Sequence, residues 1–121
     1  HCLAIRGDIM KYFITEQQRK QQGGSCYFEF QKGQKNKKYK PVFWQEDSLL
    51  LYMDIVDNLK IYKIIPNFQY YGITVIDKST WNVIQQSAKQ ESNAIQELIA
   101  ELTPWVEDNF RKFDYFVILG V

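Results

Sequence analysis

At 121 residues the chain has the length of one domain, long enough to bury a core without disulfides or a structural metal. A formal net charge of +1 excludes a whole-molecule field that gathers nucleic acid or an anionic membrane, so any such partner must meet a local patch. The single histidine, His1, excludes histidine-based catalytic arrangements and histidine metal sites, and two distant cysteines, Cys2 and Cys26, exclude a disulfide framework or a close-paired zinc or redox motif.

Met10-Lys11-Tyr12-Phe13-Ile14 looks like an ordinary bacterial start opening into a strand, so residues 1–9 are expected to be an upstream or appended extension and 10–121 a single domain. Lys11 to Thr15 and Ser25 to Gln31 are rich in aromatic and apolar residues and are expected to be strands that pair with each other. Between them Glu16 to Gly24 has no apolar stripe to hold a helix down, which predicts a mobile hairpin loop. Cys26 is expected to be a small buried hydrophobe. Lys32, Lys35, Lys37, Lys38 and Lys40 form the strongest charge cluster and predict an exposed loop, after which Pro41 admits Val42-Phe43-Trp44 as an edge-compatible strand.

Asp47-Ser48 offers capping side chains ahead of a leucine- and methionine-rich run, so a helix from Ser48 to no further than Pro66 is the preferred reading. A hairpin turning at Asp57-Asn58 stays open beside it. Tyr70 to Ile76 predicts a strand with Gly72 marking a bend, and Ser79 or Thr80 can cap a helix carrying Trp81, Ile84 and Ala88. Ile95, Leu98, Ile99 and Leu102 recur at helical spacing in the run Asn93 to Lys112, with a kink or brief break expected at Thr103-Pro104. Tyr115 to Val121 is almost wholly apolar and predicts an interior strand. The fold class is therefore α+β: a mostly antiparallel sheet of about five strands with two or three helices, the C-terminal helix packed on the sheet before a final central strand.

No phosphate-binding glycine loop, nucleophile turn or zinc-protease helix occurs, and no cofactor or metal is expected. Glu46, Asp47, Asp54 and Asp57 make a negative stretch, in which Asp54 and Asp57 share a face if helical. A second acidic group, Glu97, Glu101, Glu107 and Asp108, reads as the wet side of the C-terminal helix. Among the tyrosines, Tyr70-Tyr71 stands out, because adjacent strand residues face opposite sides and one of them is then exposed. No run near twenty apolar residues and no signal-peptide pattern is present, so no membrane partner and a cytoplasmic location are expected.

Pro66-Asn67-Phe68-Gln69-Tyr70-Tyr71-Gly72-Ile73-Thr74, the following Trp81, and the ending from Leu102-Thr103-Pro104-Trp105 through Phe116-Val117-Ile118-Leu119-Gly120-Val121 together resemble small bacterial immunity-type proteins of polymorphic toxin systems. The resemblance covers the C-terminal half and is one of strand, helix and strand endings. It implies a cytosolic α+β protein that binds and blocks a cognate toxin, with contact residues that vary between members. The residues themselves offer Glu46, Asp54, Asp57, Tyr70 and Tyr71 as a surface for a toxin or other basic protein. Two further classes stay in play: a nucleic-acid-binding module using Lys35, Lys37 and Lys38, and a carboxylate-dependent enzyme using Asp54 and Asp57 in a concave pocket.

Overall fold

The structure, a computed structural model, describes residues 10–35 and 40–121. Expectations placed on residues 1–9, on Cys2, and on Lys37 and Lys38 lie outside the described residues. Among the described residues five antiparallel strands form one sheet in the order β1-β3-β2-β5-β4, with β1 at Phe13–Thr15, β2 at Tyr27–Lys32, β3 at Leu49–Tyr52, β4 at Ile73–Asp77 and β5 at Tyr115–Leu119. Among the described residues four α-helices accompany it: α1 Glu16–Gln22, α2 Met53–Leu59, α3 Lys78–Ala88 and α4 Asn93–Phe110, with a short 3-10 turn at Ile61–Lys63. The α+β class and the interior final strand are as the sequence predicts, with more helices than the two or three expected. Among the described residues no helix is long and apolar enough to cross a membrane.

One face of the sheet carries the main core. Phe13, Phe28, Phe30, Leu51, Ile76, Phe116 and Ile118 are buried there against Trp81 and Ile84 of α3 and Ile95, Leu98, Leu102 and Val106 of α4. The spacing of these helical residues is the 3-and-4 repeat that puts them on one side, so packing rather than propensity holds both helices. α4 runs unbroken through Pro104, and the break expected at Thr103 does not occur. Proline removes the N–H that would bond the Ala100 carbonyl, and Ala100 is on the exposed side of the helix, where that carbonyl is open to solvent. Asp77, not Ser79 or Thr80, caps α3: its carboxylate accepts the Thr80 N–H at 2.8 Å and the Ser79 hydroxyl at 3.0 Å. Those bonds hold the Asp77 carboxyl below its ordinary range.

The stretch from Ser48 divides, contrary to both readings of it. Leu49–Tyr52 is strand β3, and the helix begins only at Met53. β3 lies between β1 and β2, with Phe13 opposite Leu51 on one side and Phe28 opposite Leu51 on the other, so the two N-terminal strands flank it and do not pair with each other. Leu49, Leu50 and Leu51 are all buried, because a strand covered on both faces needs apolar residues at every position. Glu16 to Gln22 is a helix, not a loop. Thr15 and Gln18 form a capping box, and Glu16 is bonded by the Arg19 guanidinium at 2.6 and 2.9 Å, which keeps the Glu16 carboxyl below its usual range. Cys26 is exposed just before β2, since its chain position precedes the covered part of the strand.

On the second face a row runs across the sheet from Ile14 through Leu50, Glu29 and Leu119 to Ile73. Glu29 is fully buried between the two leucines. Its carboxylate accepts the N–H groups of Trp44 and Gln45, each at 2.8 Å, and the Ser48 hydroxyl at 2.6 Å. The neighbouring Gln31 amide donates to the Val42 carbonyl at 2.8 Å. The expected strand at Val42-Phe43-Trp44 is thus a connection laid over the face, its backbone bonded to side chains of β2. Trp44 takes a left-handed φ of 71°, costly for a bulky side chain, and Arg19 lies 3.9 Å over its ring.

Two stability changes test this architecture. Phe116 has ring neighbours in Phe30, Trp81, Trp105 and Phe110, so Phe116→Ala is expected to cost about 3–5 kcal/mol in urea melts, and a loss under about 1 kcal/mol would refute its core position. Glu29→Gln turns an amide N–H toward one of the three donors and is expected to cost about 1–3 kcal/mol by the same measurement.

Candidate acid and tyrosine surface

At the end of the sheet where β3 passes into α2, four of the proposed partner-binding residues come together. The Met53 N–H donates to the Cys26 carbonyl at 2.9 Å, which fixes where β3 stops and α2 turns away. α2 buries Val56 inward, and the spacing of three leaves Asp54 and Asp57 exposed on its outer side. Asp54 lies in the first turn, where the helix dipole favours a carboxylate.

The segment 68–72 supplies the tyrosines. Phe68 and Tyr70 pack their rings on buried Phe28, with centroids 5.4 and 5.1 Å away. The Tyr70 hydroxyl donates to Asp57 Oδ1 at 2.9 Å. Burial pushes the Tyr70 phenol up to about 12, and the Asp57 carboxylate adds to the shift. The chain end pins this segment: Gly120 N–H donates to the Gly72 carbonyl at 2.7 Å and Val121 N–H to the Tyr70 carbonyl at 3.1 Å. Gly120 has to be glycine here, since a Cβ would collide with the Tyr70 carbonyl. Tyr71 is left 84% exposed with its ring 4.8 Å from that of Tyr70. Tyr52, one of the tyrosines notable in the sequence but not among the proposed contacts, is exposed at the end of β3 and pairs with Tyr27 at 5.5 Å. Its exposure follows from the β3 register, which the apolar run hides.

Glu46 does not join this surface. It sits in the β2–β3 connection, at the opposite end of β3, lining a shallow depression with Glu16, Gln17 and Lys20. The second acidic group is not a simple wet face either. Glu101 accepts the backbone N–H groups of Lys11, Tyr12 and Phe13 at 2.7 to 2.9 Å, tying the start of β1 to α4. Glu97 takes the Tyr12 hydroxyl and the Lys11 ammonium, and Asp108 is ion-paired with Lys32 and Arg111. Glu107 remains exposed. Lys35, of the alternative nucleic-acid contact, is exposed.

Among the described residues no group of three or more His, Cys, Asp or Glu side chains is placed to hold a metal ion. Asp54 and Asp57 lie on an outward helix face, which offers recognition by charge and hydrogen bonding. The chain matches no protein-family model, no curated protein and no solved structure.

The raised Tyr70 value predicts a pH dependence. Its folded pKa lies above the ordinary tyrosine value of 10.0, so the stability linked to its protonation is complete below about pH 10 and is lost as pH rises toward 12. Absorbance titration of the phenols is expected to show a late step near pH 12. That step is absent in Tyr70→Phe and moves to lower pH in Asp57→Ala.

Proposed function

We propose that this protein is a non-catalytic binding module that neutralises a basic protein, in the manner of an immunity protein acting on its cognate toxin in the bacterial cytoplasm. The observation that supports the reading is the convergence of Asp54, Asp57, Tyr70 and Tyr71, with Tyr52 alongside, on one end of the sheet. Tyrosine offers a large contact area with few rotamers to freeze, and two carboxylates steer a cationic partner and fix its register. Glu97, Glu101 and Asp108 of the C-terminal helix are engaged within the fold, which leaves α2 as one acidic surface open to a partner. The resemblance of the C-terminal half to immunity-type proteins points the same way.

The test is affinity capture from the native bacterial host, followed by titration of the captured protein against variants. Tyr71→Ala is expected to cost about 2 kcal/mol or more if the ring sits at the centre of the contact. Asp54→Ala is expected mainly to slow association and weaken its salt dependence, as a rim charge does. Capture of RNA or DNA, with binding lost only when Lys35, Lys37 and Lys38 are replaced by alanine, would overturn the reading in favour of a nucleic-acid module. Turnover of a small substrate abolished by Asp54→Ala would replace both with an enzyme.

A further inference from the structure

We propose that residues 41–46 are a strap that opens from the second face of the sheet as a unit while the main core stays folded, with Glu29 as its latch and Asp47 as its hinge. The segment belongs to no helix or strand. What holds it down is polar. The buried Glu29 carboxylate accepts the Trp44 and Gln45 N–H groups, and the buried Gln31 amide donates to the Val42 carbonyl. Apolar burial adds little, since Val42 and Phe43 are both exposed. Trp44 is held at a left-handed φ of 71°, so the closed strap stores backbone strain that opening releases. A segment fastened by a few polar bonds, with little apolar surface of its own buried, opens at lower free energy than the core beneath it.

The hinge is set by a contact to the other body of the fold. The Trp105 indole N–H of α4 donates to the Asp47 carbonyl at 2.8 Å, and the Trp105 ring packs 5.4 Å from that of buried Phe116. Ser48 and Leu49 follow, both buried, so the chain is free to swing only as far as Asp47. On its outer side the strap meets α1. The Arg19 guanidinium lies 3.9 Å over the Trp44 ring while it also donates to the Glu16 carboxylate and to the Gly24 carbonyl at 2.8 Å. Arg19 is therefore the contact through which opening is felt in α1, a helix whose one buried residue is Glu16. Opening uncovers Glu29 and Gln31, which gives the second face of β2 a state that the closed structure hides.

The experiment is hydrogen exchange read by NMR on the full chain at a series of low urea concentrations. The Trp44 and Gln45 N–H groups are expected to exchange through an opening about tenfold or more commoner than the one that frees Val117 and Ile118 of β5, with a smaller urea slope because less surface is exposed. Ile118→Val loosens the core on the opposite face and is expected to speed exchange in β5 several-fold while leaving Trp44 and Gln45 unchanged. Glu29→Gln is expected to speed exchange at Trp44 and Gln45 about tenfold or more. Arg19→Gln is expected to speed it several-fold, because the stack on Trp44 exists only with the strap closed. A free energy and urea slope at Trp44 and Gln45 equal to those of β5 would overturn the proposal, as would exchange there as fast as in an unfolded chain. So would Ile118→Val speeding both sites alike, or no response at Trp44 and Gln45 to either Glu29→Gln or Arg19→Gln.

Discussion

The second face of this sheet is organised by the need to satisfy one buried carboxylate. Glu29 stands between Leu50 and Leu119 in the middle of an apolar row, where an unpaired charge would cost several kcal/mol. Three donors from a single connection, Trp44, Gln45 and Ser48, close around it. That connection therefore has one place to lie, and β2 becomes a strand covered on both faces. Its left-handed Trp44 is held by the same carboxylate from within and by Arg19 from outside, which links α1 to the sheet through Glu16. Removing the carboxylate leaves strain and unpaired donors together.

The same device recurs at the margins. Glu101 gathers three backbone N–H groups at the start of β1, a short edge strand with little else to anchor it. Asn109 at the end of α4 accepts from the Gly33 N–H at 2.8 Å and donates to the Tyr115 carbonyl at 3.0 Å, joining the exit of β2 to the entry of β5. Gly33 fits because a Cβ there would collide with the Tyr115 carbonyl oxygen. Side chains of one element thus take the backbone groups another leaves over at its ends. Charged residues that look like surface are consumed by architecture, and this narrows the search for a binding surface more than any motif does.

What the sequence made legible follows from the kind of signal each element carries. α3 and α4 were readable because their buried residues repeat at helical spacing, and β5 because an almost wholly apolar run suits a strand covered on both faces. The same kind of run at Leu49 to Leu51 misled, since continuous burial erases the alternation that separates a strand from a helix. α1 was hidden because no apolar stripe holds it; its capping box and the Glu16–Arg19 pair do, and Arg19 in turn lies over the ring of Trp44, far along the chain. Glu29 was invisible for a related reason. Within Tyr27-Phe28-Glu29-Phe30 it reads as the polar side of a strand, and only the fold of residues 41–48 reveals that this side is covered. Asp54, Asp57, Tyr70 and Tyr71 were chosen for charge and exposure, and α2 and the 68–72 segment bring them together; Glu46 was chosen on charge alone and lies at the other end of β3.

How the tyrosine end is held bears on what it can do. Tyr70 is fixed by Phe28, by Asp57 and by the backbone of Val121, so Tyr71 projects from a segment whose ordering is complete before any partner arrives. Immobilising a flexible side chain or loop on binding costs about 0.5–1.5 kcal/mol each, and a surface already ordered avoids much of that cost. A rigid aromatic and acidic end suits a single tight partner.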